Sequence, residues 1–167
     1  MSKRVSQGAM FVALAMIFSY VESLIPINFG IPGMKLGIAN LVTVTGLYFL
    51  SRSEVFMIVI IRIVLMGMMF GNGMSILYSL AGGILSFLVM ILVKNIKGFS
   101  IMGVSIAGGV FHNVGQIAVA AAVLQTGKIV YYLPPLLVAG VVTGALIGIL
   151  SNRLLSLVRV MSTSRAS

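Results

Sequence analysis

Long apolar segments separated by short polar turns run through the whole chain. Each is closed by Pro, Gly, Asn or charged residues, and there are six of them: 5–25, 36–50, 55–70, 74–93, 99–124 and 129–150. A helix needs about 20 apolar residues to cross the hydrocarbon core of a bilayer. The pattern therefore predicts an all-α integral membrane protein, one domain over residues 1–167, with six transmembrane helices. Residues 151–158 are predicted to extend the last helix beyond the membrane.

Composition and charge support this fold class and add an orientation. Apolar residues make up 60% of the chain and charged residues 8%, against about 25% charged in a soluble domain, so a soluble globular fold is excluded. Six spans place both termini on one side, together with eight basic residues: Lys3, Arg4, Arg52, Lys94, Lys97, Arg153, Arg159 and Arg165. The other side holds Lys35 and Lys128. The positive-inside rule then predicts cytoplasmic termini in a prokaryotic plasma membrane, and the excess of basic residues indicates topology rather than nucleic-acid binding.

The first segment follows Lys3 and Arg4, as the apolar core of a signal peptide would. It is longer than the usual 7–15 residues of such a core, and it ends at Pro26 without a small-residue cleavage motif. We therefore expect it to be a transmembrane helix of the mature protein.

Several polar side chains fall inside the predicted spans or at their outer ends. An ionisable group at such a depth is a functional candidate by default, because burying it in lipid is costly. We predict seven ligand-binding residues for a small molecule: Glu22, Lys35, Asn40, Arg62, His112, Asn113 and Gln116. Arg62 would lie about 12 Å below the outer end of its helix. We expect it to point into the bundle, toward Glu22 or toward the helix face that His112 and Gln116 share. The alternative is a structural Glu22–Arg62 pair with polar contacts between helices.

The sequence argues against catalysis and against a bound cofactor. There is no Asp and no Cys, and only one His and two Glu residues occur. These could form at most a poor metal site, and the aspartate-rich magnesium site of a prenyl synthase cannot be assembled. A phosphate-binding loop for ATP is also absent. We expect no catalytic residues, no metal and no cofactor.

Small residues at four-residue spacing occur in several of the predicted helices. The ladder of Gly140, Gly144 and Gly148 predicts close packing inside the bundle. Ala9 and Ala13 lie near the cytoplasmic end of the first helix, where a smooth surface suits docking of another membrane subunit. Packing within the bundle is the alternative for this pair.

Four stretches carry a resemblance to a known family. They are Glu22-Ser-Leu-Ile-Pro, Pro-Gly-Met-Lys-Leu-Gly-Ile-Ala-Asn40, Leu77-Tyr-Ser-Leu-Ala-Gly-Gly83 and Phe111-His-Asn-Val-Gly-Gln116. Arg62 lies between the second and the third stretch. Over residues 4–150 the chain resembles the Gx transporter family, widely labelled heptaprenyl diphosphate synthase component I. That family is grouped with the substrate-binding S components of energy-coupling-factor transporters.

The resemblance implies a six-helix membrane subunit that captures a small vitamin-like or isoprenoid-related ligand from the outer side. It also implies a transmembrane coupling subunit that contacts Ala9 and Ala13, and separate ATPase subunits, with membrane lipid as the surroundings. The alternative is a non-catalytic accessory subunit of a heptaprenyl diphosphate synthase or of a quinone or electron-transfer system. The identity of the ligand cannot be read from the sequence.

Overall fold

The computed structural model describes residues 2–25 and 37–164, with side chains for residues 5–25 and 37–156, and its regular structure there is helical. Six α-helices occur in the order α1 Ser2–Leu24, α2 Asn40–Phe49, α3 Arg52–Phe70, α4 Gly73–Asn95, α5 Ile101–Leu124 and α6 Leu133–Ser164. A 3-10 helix, Gly127–Tyr132, precedes α6. The all-α prediction is confirmed for this part of the chain, and α6 extends well past residue 150, as predicted.

Five of the predicted spans are helices long and apolar enough to cross a membrane. The chain is therefore a multi-pass membrane protein. The exception is α2, which has 10 residues and covers about 15 Å, half the thickness of the hydrocarbon core. Its existence as an apolar helix is confirmed, but its predicted length of 36–50 is not, so the count of six spans stays a prediction, as does the cytoplasmic side of the termini.

Side-chain caps decide where several helices begin. Ser51 and Glu54 form a capping box, in which the Ser51 hydroxyl accepts from the Glu54 amide and the Glu54 carboxylate accepts from the Ser51 amide. This box starts α3 at Arg52, three residues before the predicted position. Asn72 and Ser100 cap α4 and α5 in a similar way. Polar residues between the apolar segments therefore satisfy the free N–H groups of the helix starts.

α2 is the central helix of the bundle. It contacts each of the other five helices, and its side chains from Asn40 to Leu47 are all buried. Around it α1 contacts α3, α3 contacts α4, α4 contacts α5 and α5 contacts α6. Among the described residues α1 makes no contact with α6. The five outer helices therefore form a ring around α2 that is open between α1 and α6.

Glycines allow the closest contacts within the ring, as the sequence predicts for the α6 ladder. A Cβ on Gly140 would lie 2.8 Å from the Gly109 carbonyl oxygen, and one on Gly144 would lie 2.6 Å from Ile106 Cα. A Cβ on Gly148 would lie 2.7 Å from the backbone of α5. The ladder is therefore confirmed as packing between α5 and α6.

One end of the bundle gathers most of the charged side chains. Arg52 at the start of α3 donates to Asn95 at the end of α4 over 3.0 Å, and Thr45 of α2 donates to Ser151 of α6 over 3.3 Å. We call this the basic end, and it carries Arg52, Lys94, Lys97 and Arg153. An apolar cluster around Leu47, Phe87 and Val104 lies toward it, and a second cluster around Tyr78, Ile117 and Leu136 lies toward the opposite end.

Candidate functional site

The carboxylate of Glu22, in the last turn of α1, binds the backbone that leads into α2. Its Oε1 atom accepts one hydrogen bond from the Gly37 N–H and another of 3.3 Å from the Ile38 N–H. Gly37 has a φ of +85°, a left-handed conformation that glycine adopts without steric cost. Lipid cannot satisfy free N–H groups at a helix start, and the helix dipole favours a negative charge there. Glu22 meets both requirements from a neighbouring helix.

Arg62 of α3 lies inside the bundle beside this carboxylate. It is 5% exposed, its Nη1 donates to Ser19 Oγ over 3.1 Å, and the charge of Glu22 attracts its guanidinium. The sequence-based prediction that Arg62 points into the bundle toward Glu22 is confirmed. The buried positive charge is thus balanced by a buried negative charge two helices away in the chain.

A small cavity lies between these groups. Its volume is about 10 Å³, close to what one water molecule needs, and it is lined by Ser19, Glu22, Arg62, Ile63, Met66, Ser79 and His112. Two buried polar atoms of the lining residues, Glu22 Oε2 and Ser79 Oγ, have no hydrogen-bond partner among the described residues. Each such buried atom costs about 1–3 kcal/mol. A ligand or water that forms hydrogen bonds to both atoms would therefore be stabilised in this cavity.

His112 and Gln116 close the site on the side of α5. Their Nε2 atoms lie 3.2 Å apart, and both side chains are buried. Gly82 lets α4 approach them, because a Cβ there would lie 2.7 Å from the His112 carbonyl oxygen and 2.9 Å from Gln116 Cγ. Gln116 Oε1 and the side-chain Nδ2 of Asn40 also have no hydrogen-bond partner within the described ranges.

Five of the seven predicted ligand-binding residues come together here: Glu22, Asn40, Arg62, His112 and Gln116. With Ser19 and Ser79 they form what we call the polar cluster. Asn113 lies outside it, because its Nδ2 donates to the Leu136 carbonyl over 2.6 Å and joins α5 to α6. Lys35 lies outside the described residues.

The sequence analysis missed three residues of the site: Ser19, Ser79 and Gly37. Ser19 precedes Glu22 by three residues on α1, so helical spacing could have placed both on one face. Ser79 belongs to the Leu77–Gly83 stretch that carried the resemblance, and Gly37 to the stretch that ends at Asn40. Helical spacing could therefore have identified Ser19, and treating the two stretches as parts of one site could have identified Ser79 and Gly37.

Ala9 and Ala13 lie on the outer surface of the bundle. Both are exposed, as is Ser6 beside them. The structure therefore does not support the alternative of packing inside the bundle, and the docking role of the pair stays a prediction.

Comparison with known proteins gives one match. The family model described as heptaprenyl diphosphate synthase component I matches residues 11–154, a range that includes the whole polar cluster, and the chain belongs to that family. No curated protein and no solved structure matches the chain.

Proposed function

We propose that this chain is a membrane-embedded substrate-binding subunit, similar to an S component, that captures a small vitamin-like or isoprenoid-related ligand at the polar cluster. The observation that carries the proposal is that Glu22 and Ser79 line one buried cavity while Glu22 Oε2 and Ser79 Oγ have no hydrogen-bond partner among the described residues. Native proteins rarely leave such atoms without a partner. The cavity also brings a guanidinium and an imidazole within reach of the same guest.

In the conformation described here the cavity has room for one water, so a larger ligand requires it to widen. α1 is the helix best suited to that movement. It contacts only α2 and α3 among the described helices, and 17% of its span is buried, against 28–44% for the other spans. Because α1 carries both Ser19 and Glu22, its displacement would open the cavity and free the start of α2.

Coupling to a transmembrane subunit and its ATPases is the second part of the proposal. The exposed Ala9–Ala13 strip supports it, since small side chains permit close backbone approach between membrane helices. The chain itself is proposed to be non-catalytic. Its two glutamate side chains support this, because they lie at opposite ends of the bundle and cannot act together as an acid and a base. Glu54 caps α3 at the basic end, while Glu22 lies near the far end of α1.

The test is mass spectrometry of small molecules that co-purify with the detergent-extracted protein. Ser79→Ala removes a hydroxyl that lines the cavity, and Ser105→Ala is its matched control, since Ser105 is also buried and unpartnered but lies away from the cavity. We expect ligand occupancy to fall several-fold in the Ser79 variant only. Equal occupancy in both variants would count against the polar cluster as the ligand site.

Arg62→Met separates binding from structure in the same preparation. Because Arg62 balances the buried charge of Glu22, the variant should lose stability in either case. If Arg62 also binds ligand, ligand occupancy falls further than the folded fraction. If Arg62 serves only the structure, residual ligand stays in proportion to folded protein. Full ligand binding by well-folded variant would refute the assignment of Arg62.

The docking surface is tested by Ala13→Leu, with Ala118→Leu on the exposed surface of α5 as its control. We expect reduced co-purification of the energising subunits for the first variant only. Equal recovery of those subunits with both variants would remove the docking role.

The family match favours a second candidate, a membrane accessory subunit of a heptaprenyl diphosphate synthase. This role needs a partner synthase component but no ligand in the polar cluster. Co-purification of a prenyl synthase, unaffected by Ser79→Ala or Arg62→Met, would support this candidate over ligand capture.

A further inference from the structure

An apolar groove runs along the bundle where the ring of helices is open. α2 forms its floor with Leu41 and Thr45, α1 forms one wall with Phe11 and Leu14, and Leu154 of α6 lies on the other side. Its volume is about 310 Å³, which is in the range of small-molecule sites. None of the polar cluster lines it.

The lining of this groove is too apolar to hold ordered water. Among the described residues only Gln7 and Thr45 contribute polar side chains to it, and a buried water needs two to four polar partners. A single hydrocarbon chain matches both the volume and the apolar lining.

The groove leads toward the basic end. Along α1 its lining runs from Phe18 to Gln7, and Lys3 and Arg4 lie one turn before Gln7. α6 carries the exposed Arg153 at the same end. A lipid whose chain lies in the groove therefore has its headgroup at the basic end of the bundle.

We propose that the groove binds one acyl chain of an anionic phospholipid, with the phosphate of its headgroup at the basic end. This site is separate from the polar cluster, and the proposal does not depend on whether the polar cluster binds a ligand. A basic residue near the membrane surface favours an anionic lipid by about fivefold. The preference should weaken as salt screens the charges.

The absence of tryptophan from the chain permits a direct test by single-tryptophan fluorescence. Phe49→Trp places the reporter in the groove, where Phe49 is 41% exposed. Phe56→Trp is the control, since Phe56 is 38% exposed near the same end but does not line the groove. Each variant is reconstituted into phosphatidylcholine vesicles with increasing fractions of dibrominated phosphatidylglycerol, which quenches tryptophan on contact.

We expect the reporter in the groove to show at least about a fivefold preference for the anionic lipid, lost at high salt, and the control reporter to show little preference. Phe18→Trp, deeper in the groove, repeats the test if the first variant does not fold. Equal quenching curves for the groove reporter and the control reporter would show that the groove contacts lipid no differently from the rest of the surface, and would overturn the proposal. Relief of quenching by equimolar farnesyl diphosphate, but not by unbrominated phosphatidylglycerol, would overturn it in favour of a prenyl chain.

Discussion

Replacing Gly37 by alanine should disturb the start of α2 through two separate effects. The first is conformational, because φ at this residue is +85° and a side chain in the left-handed region costs about 1–2 kcal/mol. The second is crowding, because the new Cβ would lie 2.9 Å from the side-chain Nδ2 of Asn40 and 3.2 Å from His112 Cδ2. Both neighbours belong to the polar cluster and are buried.

Gly98→Ala provides the control that separates the two effects. Gly98 also has a positive φ, of +100°, but a Cβ there would meet nothing within 4 Å. The control should therefore lose only the conformational part. Overpacking a buried site costs about 1–3 kcal/mol more, so Gly37→Ala should be destabilised by roughly 2–5 kcal/mol in total.

Thermal unfolding in detergent, followed by the helical circular dichroism signal, measures both variants. At about 2–4 °C per kcal/mol for a chain of this size, the midpoint of the control should fall by a few degrees and that of Gly37→Ala by clearly more. Equal losses for the two variants would refute the contact between the start of α2 and His112. Ligand occupancy in Gly37→Ala should fall further than the folded fraction, because Asn40 and His112 are displaced.

Three further predictions concern the bundle itself. Gly144→Ala should lose about 1–3 kcal/mol in detergent melts, since its Cβ would meet the backbone of α5 at 2.6 Å, whereas Gly8→Ala, with open space around it, should not be destabilised. Asn113→Ala should lose about 0.5–1.5 kcal/mol by removing its bond to Leu136, with ligand occupancy unchanged; a loss of ligand would return Asn113 to the site. Reporter fusions at the two termini should both read as cytoplasmic, and two external readings would contradict the predicted topology.

The long helices were predictable because four of the apolar segments have at least the roughly 20 residues needed to cross a bilayer, and 55–70 is only slightly shorter. The inward direction of Arg62 was predictable for a related reason, since an arginine facing lipid at that depth would be too costly. His112 and Gln116 followed from their spacing of one helical turn. These predictions rest on local spacing and on the cost of burying polar groups, both of which a single sequence contains.

Other features depend on contacts between distant segments and were not predictable. The segment 36–50 is apolar and continuous enough to suggest a span, yet α2 begins at Asn40, where the backbone is held by Glu22 from another helix. Asn113 neighbours His112 in sequence, but it points about 100° away around α5 and reaches α6. Ser19 and Ser79 did not stand out by residue type, because serine is common between membrane helices.

The short helix α2 explains much of the polar cluster without any ligand. A helix that starts inside the bundle presents free N–H groups that lipid cannot satisfy, and Glu22 Oε1 accepts from two of the backbone groups leading into it. The buried carboxylate then requires a buried cation, which Arg62 supplies, and Arg62 in turn bonds to Ser19. The need to stabilise the start of α2 explains these contacts and no others. It does not account for Glu22 Oε2 and Ser79 Oγ, which belong to residues lining one cavity and have no hydrogen-bond partner among the described residues. These two atoms are therefore where ligand capture and a purely structural cluster make different predictions.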